Sequence, residues 1–400
     1  MKIALLSAAC DIHTLRWANG LAGRGHAVDL ISLHRIIQGL DPKVRFHQLP
    51  FHAPAGYYLN TIRLRKLLRR IQPDLLNAHY ASGYGTLARL AGFSPAILSV
   101  WGSDVFDFPE SSTRRRRLVQ KNLRAADRVF STSRIMAEQV HRLEPTVGKV
   151  HLTPFGVDTE RFKPRKRSRP RNGPLVVGPV KKLAPKYGID ILLRAFAAFQ
   201  AGQDCHLRIA GEGPQEQELK TLARSLGLEG RVQFLGRIEH DRVPEILQQM
   251  DVFAALSRLD SESFGVSVLE ASACGLPVAV SEAGGLPEVV LPETTGLLVP
   301  RDDVPAAAAA LERLVRDGEL RRRLGAAGRR FVQEHYAWER CLELMEAGYG
   351  EVYGSNQRSE VRGQRSGRGR KAEGRERSEV RGQEEGGERG QRSEVRGQEE

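Results

Sequence analysis

The chain is poor in the residues that staple or anchor a protein. Four of its 400 residues are cysteine (Cys10, Cys205, Cys274 and Cys341), and none forms a C-x-x-C pair. Cysteines so scattered exclude a disulfide framework and the usual zinc spacings. No window approaches the run of about 18 apolar residues that spans a bilayer. The opening "MKIALLSAAC" has an apolar run at the short limit for a signal-peptide core, and the polar "DIHT" follows at once. It reads as a buried strand over Ile3 to Leu6, which makes the cytoplasm the expected compartment. Aromatic residues are 6% of the chain and build no RNA-binding motif. No G-x-G-x-x-G opens either half, and "GEGP" and "GGLP" alone give a dinucleotide oxidoreductase little support.

Acidic residues are also in deficit, 48 against 61 Lys and Arg, for a net charge of +13. Residues 354–400 hold 12 basic and 10 acidic residues, so +11 belongs to the rest. This tail repeats "RSEVRGQ" from Arg358, Arg377 and Arg392, with three valines and one alanine as its only nonpolar side chains. Such a segment cannot offset its ordering entropy and is expected to be disordered, with folding complete near Tyr353. The remaining cations fall in blocks: Arg63 to Arg70, Arg114 to Arg117, Arg161 to Arg171 and Arg321 to Arg323. A basic surface suits anionic lipid or phosphorylated ligands. No DNA- or RNA-binding motif accompanies it, so nucleic acid is not expected.

What is abundant is alternation. Apolar runs such as "AILSV" and "DRVF" alternate with helical patterns from the N-terminus to residue 160. Residues 161–174, "RFKPRKRSRPRNGP", interrupt with charge and proline. The alternation then restarts at "LVVGPV". Buried parallel strands covered by helices read this way, so the fold class is α/β with two Rossmann-like sheets. The expected organisation is a first domain over 1–164, a linker over 165–174 and a second domain over 175–330. A C-terminal helix over 331–353 and the tail over 354–400 complete it.

One segment carries the chemistry: residues 262–280, "ESFGVSVLEASACGLPVAV", with Glu262 and Glu270 eight positions apart. "FGVSVLEASA" reads as a helix, with Phe264 and Gly265 near its first turn. Helix-start amides lack partners and form a ready anion site. Gly265 permits close approach of a ligand, and carboxylates accept hydrogen bonds from hydroxyl pairs. Phosphate on amides and hydroxyls on carboxylates fit a nucleotide sugar. An amphipathic helix with a solvent-facing glutamate is the plainer alternative.

In context the segment resembles the signature of the retaining glycosyltransferases called family 4, which have the two-Rossmann GT-B fold. Glu262 and Glu270 match its E-x7-E pattern, Gly284 to Glu288 ("GGLPE") and Ala210 to Pro214 ("AGEGP") match further loops, and the likeness covers about residues 1–353. Bacterial hexosyltransferases of polysaccharide synthesis are the members it is most similar to. The resemblance implies that Glu270 holds the donor ribose and Glu262 the donor sugar. Amides at Phe264, Gly265 and Val266 meet sugar and diphosphate, and Gly211, Gly213 and Arg237 belong to the nucleotide side. It also implies a last helix that crosses back to the first domain.

Two departures stand out. Members carry an Arg and a Lys after the first strand of the second domain. Lys186 matches the lysine, whereas the arginine is replaced by Lys181 or Lys182. Many members also have a His-Gly-Thr-Asp-like turn, and here "VWGSDV" puts Trp101 at the histidine. Tryptophan stacks on sugars but moves no proton. His13 and His79 are the remaining candidates, with His79 at the end of a strand where ligands gather in open sheets. No D-x-D or other metal-ligand cluster is present, so the expected chemistry is metal-independent, with no tightly bound cofactor. The expected reaction moves a hexose or acetamidohexose from a UDP- or GDP-type donor to a glycan or lipid-linked acceptor, on a protein that can rest on the inner face of the plasma membrane. The alternatives are a sucrose- or trehalose-type synthase and a non-catalytic GT-B binding module.

Overall fold

The computed structural model describes residues 1–36, 39–165, 173–198 and 205–357. Within residues 1–348 there are two parallel sheets. The first contains β1 (Lys2–Leu6), β2 (Ala27–Ser32), β3 (Arg45–Gln48), β4 (Leu75–His79), β5 (Ala96–Val100), β6 (Arg128–Ser131) and β7 (His151–Leu152), in the order β3-β2-β1-β4-β5-β6-β7. The second contains β8 (Leu175–Gly178), β9 (Cys205–Ala210), β10 (Val232–Gly236), β11 (Val252–Ala255), β12 (Val278–Ser281) and β13 (Gly296–Val299), in the order β10-β9-β8-β11-β12-β13.

Helices cover both faces of each sheet, so the central strands are buried along their whole length and mostly apolar, and polar residues within them bond each other, as Ser99 Oγ of β5 does to Asn77 Oδ1 of β4 at 2.8 Å. β4 and β5 are buried at every position, as are β11 and β12. Residues buried on both faces have no solvent side to reserve for polar groups. Strand order reverses between β1 and β4 in the first sheet and between β8 and β11 in the second. Ligands of open α/β sheets bind beyond the carboxyl ends of strands at such reversals. The loops after β1, β4, β8 and β11 are therefore the ones to examine.

One strand has no apolar run. β3, "RFHQ", is an edge strand held by side chains: Arg45 and His47 both bond the buried Asp29 carboxylate of β2, at 2.6 and 2.7 Å. The last helical stretch is not continuous either. Helix Gly318–His335 ends before a bridge between Ala337 and Val157. A second helix starts at 338, with Trp338 packed on Trp17 (centroids 4.9 Å apart) and Glu346 paired with Arg24 and His26. Residues 349–357, described by themselves, are helical. The proposed tail from 358 on, and most of the linker (166–172), lie outside the described residues.

Candidate active site

The loops that leave the carboxyl ends of the two sheets line a common cleft of about 410 Å³. From the first sheet come His13, Tyr80, Trp101 and Phe155. From the second come Lys181, Lys182, Lys186, His240 and the segment Ser261 to Ser267 with Glu270. A larger hollow, about 830 Å³, opens at the opposite ends of the second sheet's strands, beside Leu175, Asp251 and Pro277. Arg165 and Gly173 also line it. The smaller cleft is where the strand order and the polar side chains converge, and it is the better candidate.

The two glutamates of the 262–270 segment are both buried, Glu262 to 7% and Glu270 to 5% exposure. Buried carboxylates need partners, and each has one from a separate loop. Lys181 Nζ donates to Glu262 Oε1 at 2.7 Å. His240 Nε2 lies 3.0 Å from Glu270 Oε1. Each glutamate keeps its second oxygen for another donor. The helix that carries Glu270 is Val266–Ala273, which starts two residues later than its apolar pattern suggests. Gly265 is its N-cap at φ +87° and no side chain caps it. A Cβ there would also press on Leu286 at 2.6 Å, so only glycine fits. Val266 is partly exposed and lines the cleft. Glu262, Phe264, Gly265, Val266 and Glu270 thus meet in one place.

The β8 loop brings all three lysines to the cleft. Lys181 and Lys186 flank the Tyr187 ring, at 5.2 and 4.9 Å from its centroid, while Lys182 is exposed. Gly211 and Gly213 do not line the cleft. A Cβ on Gly211 would overlap the Lys181 carbonyl, and one on Gly213 the Leu183 carbonyl. Their role is to let the β9 loop lie flat against the lysine loop. Arg237 is a second correction. Its side chain is 64% exposed, pairs with Glu239 at 3.1 Å and lies outside the cleft wall.

On the first sheet the histidines separate. His79 is 1% exposed, with Nδ1 3.0 Å from Ser7 Oγ, and Trp101 covers it at 4.5 Å between ring centroids. Burial pushes its imidazole down to about 3. It stands behind the cleft wall rather than on it, and its Nε2 finds no protein partner. His13 does line the cleft, stacked on Phe155 at 4.1 Å. Asp11, the N-cap of helix Ile12–Gly23, fixes it by accepting from its backbone N–H at 2.8 Å. Burial first, and then the Arg16 guanidinium, pushes His13 down to about 3. Neither imidazole carries a proton near neutral pH. Trp101 sits among His13, Tyr80 and Phe155, a wall of rings suited to a sugar face.

Sequence reasoning missed His240, which lines the cleft. It follows β10, and its position beyond the carboxyl end of a strand is the signal that could have found it.

Two facing Rossmann-like domains, with paired glutamates and an uncapped helix at their common cleft, define a GT-B glycosyltransferase. The chain belongs to the family-4 type. Residues 160–331 match the family described as "Glycosyl transferases group 1", and residues 2–133 match "Glycosyl transferase 4-like". It is 35% identical to a GDP-mannose-dependent alpha-(1-6)-phosphatidylinositol monomannoside mannosyltransferase of Mycolicibacterium smegmatis, over 65% of this chain and 72% of that one. It is 25% identical to an N-acetyl-alpha-D-glucosaminyl L-malate synthase of Bacillus anthracis, over 85% and 93%. Its fold is similar to that of sucrose-phosphate synthase from Thermosynechococcus elongatus (TM-score 0.77, 24% identity, 89% of this chain and 100% of that one). The chain is therefore an enzyme of the glycosyltransferase class.

Proposed function

We propose that this enzyme moves a hexose from a nucleoside-diphosphate donor of the GDP-mannose type to a lipid-linked acceptor, with retention at the anomeric carbon. The observation that carries the reading is the pairing of Glu262 with Lys181 and of Glu270 with His240 around the open start of helix Val266–Ala273. Glu270 accepts from the ribose hydroxyls and Glu262 from the donor sugar, while the amides at 265–267 and the lysines take the diphosphate. As the bond from the anomeric carbon to the diphosphate breaks, negative charge gathers on the leaving oxygen. Lys186, Lys182 and the helix start stabilise it, the work a divalent ion would otherwise do. The acceptor hydroxyl attacks from the same face and gives its proton to that leaving oxygen. No histidine is needed for this step, which agrees with the low proton affinity of His13 and the burial of His79.

GDP-mannose is the first donor to try because the mycobacterial relatives are named for it. A lipid-linked acceptor fits the surface of the first domain. Helix Thr61–Ile71 buries Leu64, Leu68 and Ile71 and exposes Arg63, Lys66, Arg69 and Arg70. Phe51, Tyr58 and Leu59 before it and Ile62 in its first turn are exposed, Ile62 to 65%. Apolar side chains beside cations suit an anionic bilayer. Among the described residues no helix is long and apolar enough to cross a membrane, so contact of this kind is peripheral, on the inner face.

The test is turnover of GDP-mannose and UDP-glucose with bacterial lipid extract as acceptor, read by proton NMR of the product. The expected product is an α-linked glycolipid formed from the α-linked donor. A β-linked product would remove the same-face mechanism, and release of free sugar alone would remove the lipid acceptor.

A further inference from the structure

We propose that Glu288 is a positioning residue that holds the cleft closed by capping a helix of the opposite domain. Glu288 lies in the short turn Leu286–Val289, directly after the Gly284-Gly285 pair of the second domain. Its Oε2 accepts from the backbone N–H of Arg134 at 2.8 Å, and its Oε1 from that of Ile135, also at 2.8 Å. These are the first two amides of helix Arg134–Leu143, which follows β6 in the first domain. Ser133 Oγ, the local cap, accepts from Met136 at 3.4 Å. The first amides of a helix have no partner inside it and carry its positive end. A carboxylate with one oxygen on each is a charge-assisted, two-point contact. The helix thus takes two of its caps from a residue more than 150 positions away in the other domain.

The same turn is tied to the site. Gly285 N–H donates to the Glu262 carbonyl at 2.9 Å, and a Cβ on Gly284 would overlap that carbonyl. Tyr336 Oη donates to the Glu288 carbonyl at 3.2 Å, and its ring meets Phe264 edge-on at 5.7 Å. One turn therefore touches the backbone of Glu262 at one end and the first domain at the other. At the cleft itself Ser263 Oγ donates to the Trp101 carbonyl at 3.1 Å, a second link between the same two halves. The donor-binding groups (Glu262, Glu270, the lysines and the helix start) all lie on the second domain. Holding the donor does not require Glu288. Pressing the Trp101 wall and the acceptor against that donor does. This inference rests on the donor placement proposed above.

Three variants test it: Glu288→Gln, Glu288→Ala and Arg134→Pro. Proline suits the first position of a helix, and Ser133 before it is already extended (φ −148°, ψ 162°). Arg134→Pro thus deletes one of the two amides and leaves the helix intact. Calorimetry with GDP-mannose, transfer turnover and small-angle X-ray scattering are measured on folded protein. Donor affinity should stay within about threefold of wild type, while transfer kcat falls about tenfold or more in Glu288→Ala and less in the other two. The radius of gyration of Glu288→Ala should exceed that of wild type. Arg134→Pro added to Glu288→Ala should cost nothing more, because the pair acts as a unit. Unchanged transfer in Glu288→Ala, an unchanged radius of gyration, or additive effects of the two changes would overturn the proposal. If GDP-mannose does not bind wild type, the donor reading falls instead. Scattering and the additivity of the melting temperatures then still decide the latch.

Discussion

At the scale of single residues, the question is what keeps two carboxylates inside an apolar segment. Lys181 and His240 do, and each leaves one oxygen of its glutamate for a ligand. Replacing Glu270 with alanine deprives a buried ribose hydroxyl pair of its acceptor. Donor affinity should fall by about 1–3 kcal/mol in calorimetry, and unchanged affinity would place the ribose elsewhere. His79 supports a different prediction. Its proton affinity is pushed down to about 3 in the folded protein, from an ordinary value of 6.5. The unfolded chain therefore binds a proton below 6.5 that the folded chain refuses. Stability is full above that pH and declines as pH falls from 6.5 toward 3. Melting temperature should drop over that window. The drop should be shallower in His79→Gln, whose amide can keep the bond to Ser7. An identical slope in the variant would show that His79 is not the group responsible. Of these residues Glu262 and Glu270 were legible as a spaced pair in a strand-to-helix context. His240 was not, because its bond to Glu270 exists only once β10 and β11 share a sheet. His79 was misplaced on the cleft wall because sequence cannot tell that Trp101 would cover it.

At the scale of elements, the β8 loop brings three lysines to the cleft. Its three lysines face different tasks. Lys181 is buried against Glu262, so Lys181→Ala leaves a buried carboxylate without its partner. That variant should lose melting temperature as well as turnover. Lys182→Ala and Lys186→Ala should keep the melting temperature, and Lys186→Ala should lower kcat more than it raises the donor KM, since its charge matters most as the diphosphate departs. Normal turnover in all three would refute the account of leaving-group stabilisation. Among the described residues the strands other than β3 were legible, because parallel strands covered on both faces leave mostly apolar runs. β3 was not legible. It is an edge strand whose pairing is held by Arg45 and His47 on Asp29, and no apolar run marks it. The break between the last two helices was hidden for a similar reason. It depends on the bridge of Ala337 to Val157, a contact between distant parts of the chain.

At the scale of the whole molecule, charge and exposed apolar groups share one surface of the first domain. If that surface rests on lipid, binding to liposomes should require anionic headgroups and weaken steeply with salt. It should weaken again when Arg63, Lys66 and Arg70 become glutamine. Equal pelleting with neutral vesicles, or none at low salt, would leave an enzyme whose acceptor is not membrane-held. The two-domain architecture was readable from the alternation that stops at 161–174 and restarts at "LVVGPV". The way the domains meet was not. Glu288 stood in a recognisable loop, yet its partners are backbone amides of Arg134 and Ile135, which no side-chain pattern announces.

The central claim is that the cleft between the two sheets binds a nucleoside diphosphate on the 262–270 segment. The most direct measurement is a crystal structure with the nucleoside diphosphate that raises the melting temperature most. The account predicts ribose hydroxyls within hydrogen-bond distance of Glu270 and diphosphate oxygens on the amides of Gly265, Val266 and Ser267, with a lysine of the β8 loop beside them. A nucleotide seated in the hollow near Leu175 and Asp251, or one that leaves Glu270 bonded to His240 alone, would contradict it.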